Sequence, residues 1–145
     1  MTTIEKIENW GNSHRIAALD YVRIVVGVFI TYKGLSFVFN IQDLYGLAAS
    51  TDVKFVSVMM AHYVLFFHML GGPLIVLGIF TRVVSALQIP ILLGAVFLVN
   101  SQKGFLAMGD HMELEVSIIT LIAIILFVIF GAGKLSIDEI RRNTK

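Results

Sequence analysis

The stretch HMLGGPLIVLGIFTRVVSALQIPILLGAVF, from His68 to Phe97, decides how this chain is built. Its two apolar runs are separated only by Thr81-Arg82, a joint that permits nothing but a tight helical hairpin. A bilayer core of about 30 Å takes about 20 apolar residues in a helix. Working outward from the hairpin, four segments have that character: Ile16–Phe39, Phe55–Phe80, Val83–Asn100 and Met112–Gly131. The expectation is an all-α integral membrane protein, an antiparallel four-helix bundle that forms one domain over residues 1–145.

Composition agrees. Hydrophobic residues make up 57% of the chain and charged residues 14%, against about 45–50% and about 25% in soluble domains. The mean hydropathy is +0.87. A net charge of +1 gives no reason to expect nucleic acid. The absence of cysteine removes disulfides, thiolate metal sites and CxxC redox motifs together. The first residues, MTTIEKIENWGNSHR, are polar, so the first span is expected to act as its own insertion signal.

Lysine and arginine orient the bundle. Lys6, Arg15, Arg82, Lys134, Arg141, Arg142 and Lys145 fall on one side, and Lys54 and Lys103 on the other, with Lys33 near them. Positive residues favour the cytoplasm, so both termini are expected there. Thr2-x-x-Glu5 and Ser136-x-x-Glu139 have the spacing of capping boxes, and Asp110-x-x-Glu113 reads as a cap opening the fourth span. Ile4, Ile7 and Trp10 suit a short interfacial helix, and the C-terminal SIDEIRRNTK a short helix or tail.

Helical phase sorts the polar residues. Asp20, Arg23, Gly27, Ile30, Gly34 and Phe37 form one stripe of the first span. His68, Gly71, Ile75, Gly78 and Arg82 form a second, and Ala86, Pro90 and Gly94 a third. Small residues let helix backbones approach closely in lipid, so Gly27, Gly34, Gly71, Gly78 and Gly94 are read as packing positions. A cytoplasmic-side cluster of Asp20, Arg23 and Arg82 is expected, with Asp20 paired to Arg23 or Arg82. Its role is structural, because charge inside a bilayer must be neutralised.

The opposite end gathers Lys33, His62, His111, Glu113 and Glu115. A cation, imidazoles and carboxylates at one depth suit an anionic or quinone-like head group, or proton transfer. Simple alternatives exist: Lys33 snorkelling to the interface, Glu113 serving a cap, His111 lying at the water boundary. Glu115, a turn further in, has none. Lys33, His62, His68 and Glu115 are therefore the candidate ligand-binding residues. His62 and His68, six residues apart, point about 120° away from each other, so one metal cannot take both from a common face. No metal site is expected, and no catalytic residue is identifiable.

Pro73, inside the second span, removes the hydrogen bond to the Met69 carbonyl, so a kink is expected. His68, on the bundle-facing stripe, has two open readings: donor to such a freed carbonyl, or ligand contact.

The chain resembles the DoxX family of small bacterial membrane proteins. The resemblance is carried by YVRIVVGVFITYKGLSFVF (Tyr21–Phe39), by His68–Phe97 and by ELEVSIITLIAIILFVIFGAGKLSIDEI (Glu113–Ile140). The matching positions are Arg23, Gly27 and Gly34; Gly71, Gly72, Gly78 and Arg82; Glu113 and Glu115; and Gly131, Gly133, Ser136 and Asp138. SFVF after Gly34 departs from the frequent Lys-Leu-Phe, as does Lys33 from the usual His or small residue. The resemblance implies four membrane helices in the bacterial inner membrane. It also implies an accessory role beside a membrane redox enzyme, since some relatives are small subunits of thiosulfate:quinone oxidoreductases. Quinone is then the cofactor to consider, and the lipid bilayer, a membrane or periplasmic redox enzyme and further copies of the chain are the partners. The competing reading is a non-catalytic scaffold or a lipid- or small-ligand-binding protein.

Overall fold

The computed structural model describes residues 2–14, 18–42, 54–100 and 113–144. These form helices and turns, with no strand among the described residues. In chain order the helices are α1 (Thr3–Ser13), α2 (Ala18–Phe39), α3 (Lys54–Leu77), α4 (Thr81–Gly94), α5 (Glu113–Phe130) and α6 (Ile137–Asn143). A π-helical segment, Ala95–Asn100, continues α4. Arg15, Lys103, Asp110, His111 and Lys145 lie outside the described residues.

Three helices, Ala18–Phe39, Val58–Leu77 and Glu113–Phe130, are long and apolar enough to cross a membrane. The apolar helix after the hairpin, Thr81–Phe97, is shorter. With the composition, these helices make the chain a membrane protein. Two sequence signals for helix starts are realised. Thr2 and Glu5 form a complete capping box at α1, and Ser136 Oγ accepts from Glu139 N at 3.1 Å at α6.

Backbone contact sets the α2–α3 seam. A Cβ added to Gly27 would lie 2.8 Å from Val76 N, and one added to Gly72 would lie 2.7 Å from Thr31 N. Further along, one on Gly34 would lie 3.0 Å from the His68 carbonyl carbon. As α2 is followed forward, its partners on α3 step backward. The glycines make this spacing possible, because van der Waals attraction between helices falls off steeply with distance. The wider core joins four helices: Val26 and Ile30 of α2, Ile75 of α3, Val84 and Leu92 of α4, and Ala123, Ile124 and Phe127 of α5.

The expected glycine stripes need correction in two places. Gly71 and Gly78 do not share a seam. Gly71 faces Gln88 Nε2 of α4, whereas Gly72, its neighbour, meets α2. Gly78 has already left the helix. The third stripe is not a seam within this chain. Ala86 and Pro90 are exposed and Gly94 has open space beside it, while Thr81, Val84, Ser85, Gln88 and Leu92 are the buried face of α4. A small residue permits close approach but does not supply the neighbour. The buried larger side chains decide which face turns inward.

Pro73 is exposed and sits within α3, which runs on to Leu77. The α3–α4 joint then turns through Gly78, with φ of +68°, and Phe80, with φ of +47°. α1 packs on the end of α5: Gly11 abuts the Ile129 carbonyl, and the Trp10 and Phe130 rings lie 5.6 Å apart.

Candidate functional site

The ionisable residues divide between the two ends of the helices. At one end, Asp20 and Arg23 are among the most buried side chains of the molecule, 2% and 1% exposed. Their charges approach to 3.6 Å between Arg23 Nη2 and Asp20 Oδ1. Most of their hydrogen bonding goes to backbone. Arg23 Nη1 donates to the Ile75 carbonyl at 2.6 Å and to the Val76 carbonyl at 2.5 Å. Those carbonyls belong to the last turn of α3, and the Ile75 carbonyl also accepts from Gly78 N at 3.1 Å. A cation there also meets the negative end of the helix dipole.

The Asp20 carboxylate is matched to the turn after α5. Its Oδ2 accepts from Lys134 N and its Oδ1 from Leu135 N, both at 3.1 Å. Arg23 Nη2 takes the carbonyl of the same Leu135 at 2.6 Å. One peptide turn is thus held from both sides by an i, i+3 pair on α2. Gly133 makes the approach possible. Its φ of +79° suits glycine alone, and a Cβ there would strike the Asp20 carboxylate.

Asp138 completes this end. Its Oδ1 and Oδ2 accept from the backbone N–H groups of Phe80 and Thr81, at 3.0 and 3.1 Å. Phe80 is the N-cap residue of α4 and supplies no side-chain cap of its own. The carboxylate of α6 therefore caps α4 from 58 residues away. The Asp138 N–H returns to the Gly78 carbonyl at 3.0 Å. Phe80 keeps a left-handed backbone that costs a non-glycine residue about 1–2 kcal/mol, and these bonds offset that cost.

Arg82 is separate from the Asp20–Arg23 pair, contrary to the expected three-residue cluster. Its Nη2 donates at 3.1 Å to the Ile129 carbonyl, at the end of α5. The reason is geometric: Arg82 lies in the first turn of α4, beside Gly131, not on the seam with α2. Beside it lies a depression of about 290 Å³ whose walls include Phe80, Asp138, Glu139 and Arg142. Glu139 binds Arg142 there at 2.6 Å.

At the other end the structure pairs Lys33 with Glu113 and turns the two histidines of α3 to different sides. Lys33 Nζ lies 3.8 Å from Glu113 Oε1, with both side chains about a third exposed, at 37% and 36%. The Lys33 ammonium also stands 6.0 Å from the centre of the Phe29 ring. Glu115 is half-buried on the first turn of α5. His62 is exposed, and its Nδ1 donates to the Val58 carbonyl at 2.8 Å. It lines an apolar groove of about 570 Å³ together with Tyr63, Phe66 and Met69. His68 is turned away, buried on the α2 side against Gly34, with the Phe37 ring 5.7 Å away.

His68 is not the donor to the Met69 carbonyl. Its Nδ1 donates to the Val64 carbonyl at 2.9 Å, one turn upstream. A ring held close to its own helix cannot also reach the carbonyl freed by Pro73. Since a carbonyl can only accept, Nδ1 carries a proton. Among the described residues no group of three or more histidine, aspartate or glutamate side chains is placed to hold a metal.

Sequence reasoning passed over Gly72, Thr81, Ser85 and the capping role of Asp138. Gly72 adjoined a residue already assigned to the seam. Asp138 was visible in the motif Ser136-x-Asp138, but spacing says nothing of a partner across the fold.

The sequence matches no curated protein and no solved structure. The family model described as DoxX matches residues 18–101. That range holds α2, α3 and α4, including Arg23, Gly27, Gly34, Gly72 and Gly78, and stops short of α5 and the Gly131–Asp138 turn that locks onto them. On that match the chain belongs to the DoxX family.

Proposed function

We propose that this chain is a non-catalytic subunit of a membrane redox assembly, linked to quinone chemistry through its partner. The bundle spans a bacterial inner membrane four times, antiparallel, with both termini in the cytoplasm. One observation carries this reading: the buried charges Asp20 and Arg23 are bound to backbone of the chain itself. They complete helix ends and close the fold. The apolar outer faces, such as Tyr21, Val25, Val28 and Tyr32 on α2, are then available to lipid and to a partner. The positive side of the bundle supports the orientation, and membership of the DoxX family supports the redox association.

Purification in mild detergent, followed by mass spectrometry of proteins and lipids and an optical spectrum, tests this reading. A co-purifying redox enzyme or quinone is the expected result. The groove beside His62 favours a second reading, a small-ligand or lipid binder. A colourless homo-oligomer with lipid bound and no enzyme attached would select it.

A further inference from the structure

Serine and threonine in apolar helices ordinarily turn back onto their own helix. Thr31 Oγ1 donates to Gly27 O, Ser117 Oγ to Glu113 O and Thr120 Oγ1 to Val116 O, each at 2.7 Å. Two residues of α4 break this habit. Thr81 Oγ1 and Ser85 Oγ have no protein partner, although both residues are 0% exposed. Gln88, also 0% exposed, donates through Nε2 to the Phe67 carbonyl of α3 at 2.6 Å. That bond fixes the amide orientation, because a carbonyl can only accept. Gln88 Oε1 is then a buried acceptor without a protein partner.

These three residues stand at i, i+4 and i+7, along the buried face of one helix. The axial steps between them are about 6 Å and about 4.5 Å. Two hydrogen bonds through one water span at most about 5.6 Å, so one water suits the shorter step and the longer step takes one or two. At the Asp20 end, Arg23 Nε is a further buried donor without a protein partner. The row thus has hydroxyls of either polarity at its foot and in the middle, and a fixed acceptor at its top.

We propose that Thr81, Ser85 and Gln88 hold a file of bound water that runs from the Asp20 end into the middle of the bundle. A polar group left unsatisfied in a core costs about 1–3 kcal/mol. Three in register on one helix face form a built water site, since a buried water takes two to four such partners. The file is independent of the redox reading: it belongs to α4 and its neighbours whatever the partner is.

Radiolytic hydroxyl labelling of the intact chain in lipid nanodiscs tests the file, because bound water activated in place oxidises the side chains beside it. Val84 and Leu92, both 7% exposed on the same helix face, should be labelled, while Ile124 of α5, at 0%, should not. The Thr81→Val, Ser85→Ala double variant should lower the Val84 and Leu92 signal by about threefold or more, since it removes two of the three water-binding groups. Trp10, 53% exposed, should be unchanged. A second measurement needs no variant: on transfer to oxygen-18 water, label at Val84 should acquire the heavy isotope more slowly than label at Trp10. Absence of wild-type labelling at Val84 and Leu92 would overturn the proposal in favour of hydroxyls turned back on α4. Undiminished labelling in the folded double variant, or isotope uptake as fast as at Trp10, would also overturn it.

Discussion

The two ends of the bundle use the same residue types to opposite effect. At the Asp20 end, a carboxylate and a guanidinium are almost wholly buried and bonded to peptide groups at helix ends. At the Lys33 end, an ammonium and a carboxylate face each other at 3.8 Å, about a third exposed. The difference lies in what surrounds each pair. A charge that meets the backbone carbonyls or N–H groups of a neighbouring helix end or turn becomes part of the fold. A charge that meets another partly exposed side chain near the boundary remains a surface pair. In a membrane chain the first arrangement is structural.

The largest expected effect comes from breaking the buried pair. Asp20→Ala removes the acceptor for Lys134 and Leu135 and leaves Arg23 without its counter-ion. Removing one partner of a buried ion pair costs about 3–5 kcal/mol. Fluorescence-detected size exclusion after a thermal ramp should therefore show little monodisperse protein at temperatures where the wild type survives. A wild-type melting curve would mean that the turn after α5 does not depend on Asp20.

Next comes the α2–α3 seam. Gly72→Val forces branched carbon against the Thr31 amide and hydroxyl, where backbone cannot yield without separating the helices. Overpacking of this kind costs about 1–3 kcal/mol. Gly94→Ala is the matched control, since nothing lies within 4 Å of the added carbon. Melting temperatures of the two variants should separate clearly, with Gly94→Ala close to wild type. Equal loss in both would show that Gly94 faces a second copy or a partner in the membrane.

How far the sequence discloses this contrast depends on whether the partner is local. Three long apolar helices were legible because apolar length is a property of consecutive residues, and the ends of the second moved by only a few positions (Phe55–Phe80 against Lys54–Leu77). Asp20 and Arg23 were legible as a pair because three residues on a helix place them on one face. That Arg23 binds Ile75 and Leu135 was not, since those are carbonyls, and every residue has one. Helical phase separated His62 from His68 correctly in angle. It also put His68 on the bundle-facing stripe, and the structure buries that ring while leaving His62 exposed. Gly72 was hidden by its neighbour: adjacent glycines differ by about 100° around the helix, and only the packed structure chooses between them.

A smaller effect tests the cap supplied from a distance. Asp138→Ala removes both acceptors from the first N–H groups of α4 and releases the left-handed Phe80. Loss of a cap costs about 0.5–2 kcal/mol. Hydrogen exchange followed by mass spectrometry should show faster exchange confined to the peptide covering Gly78–Val84, with α2 unchanged. Exchange spreading over the Asp20 contacts would instead make the end one cooperative unit.

The Lys33 end should respond least. Both its side chains are about a third exposed, and exposed pairs are worth about 0.2–1 kcal/mol. In a double-mutant cycle of Lys33→Met and Glu113→Gln, the coupling in thermal stability should lie within that range and shrink with added salt. The comparison has force because the same cycle on Asp20 and Arg23 predicts the reverse. There, either single substitution should cause most of the loss, and salt should change little, since ions do not reach groups 2% and 1% exposed. If Lys33 and Glu113 instead showed strong, salt-insensitive coupling, they would have to be enclosed in the membrane by something beyond this chain. The pair would then mark a contact with a partner or another copy, and the end that looks open in one chain would be closed in the assembly.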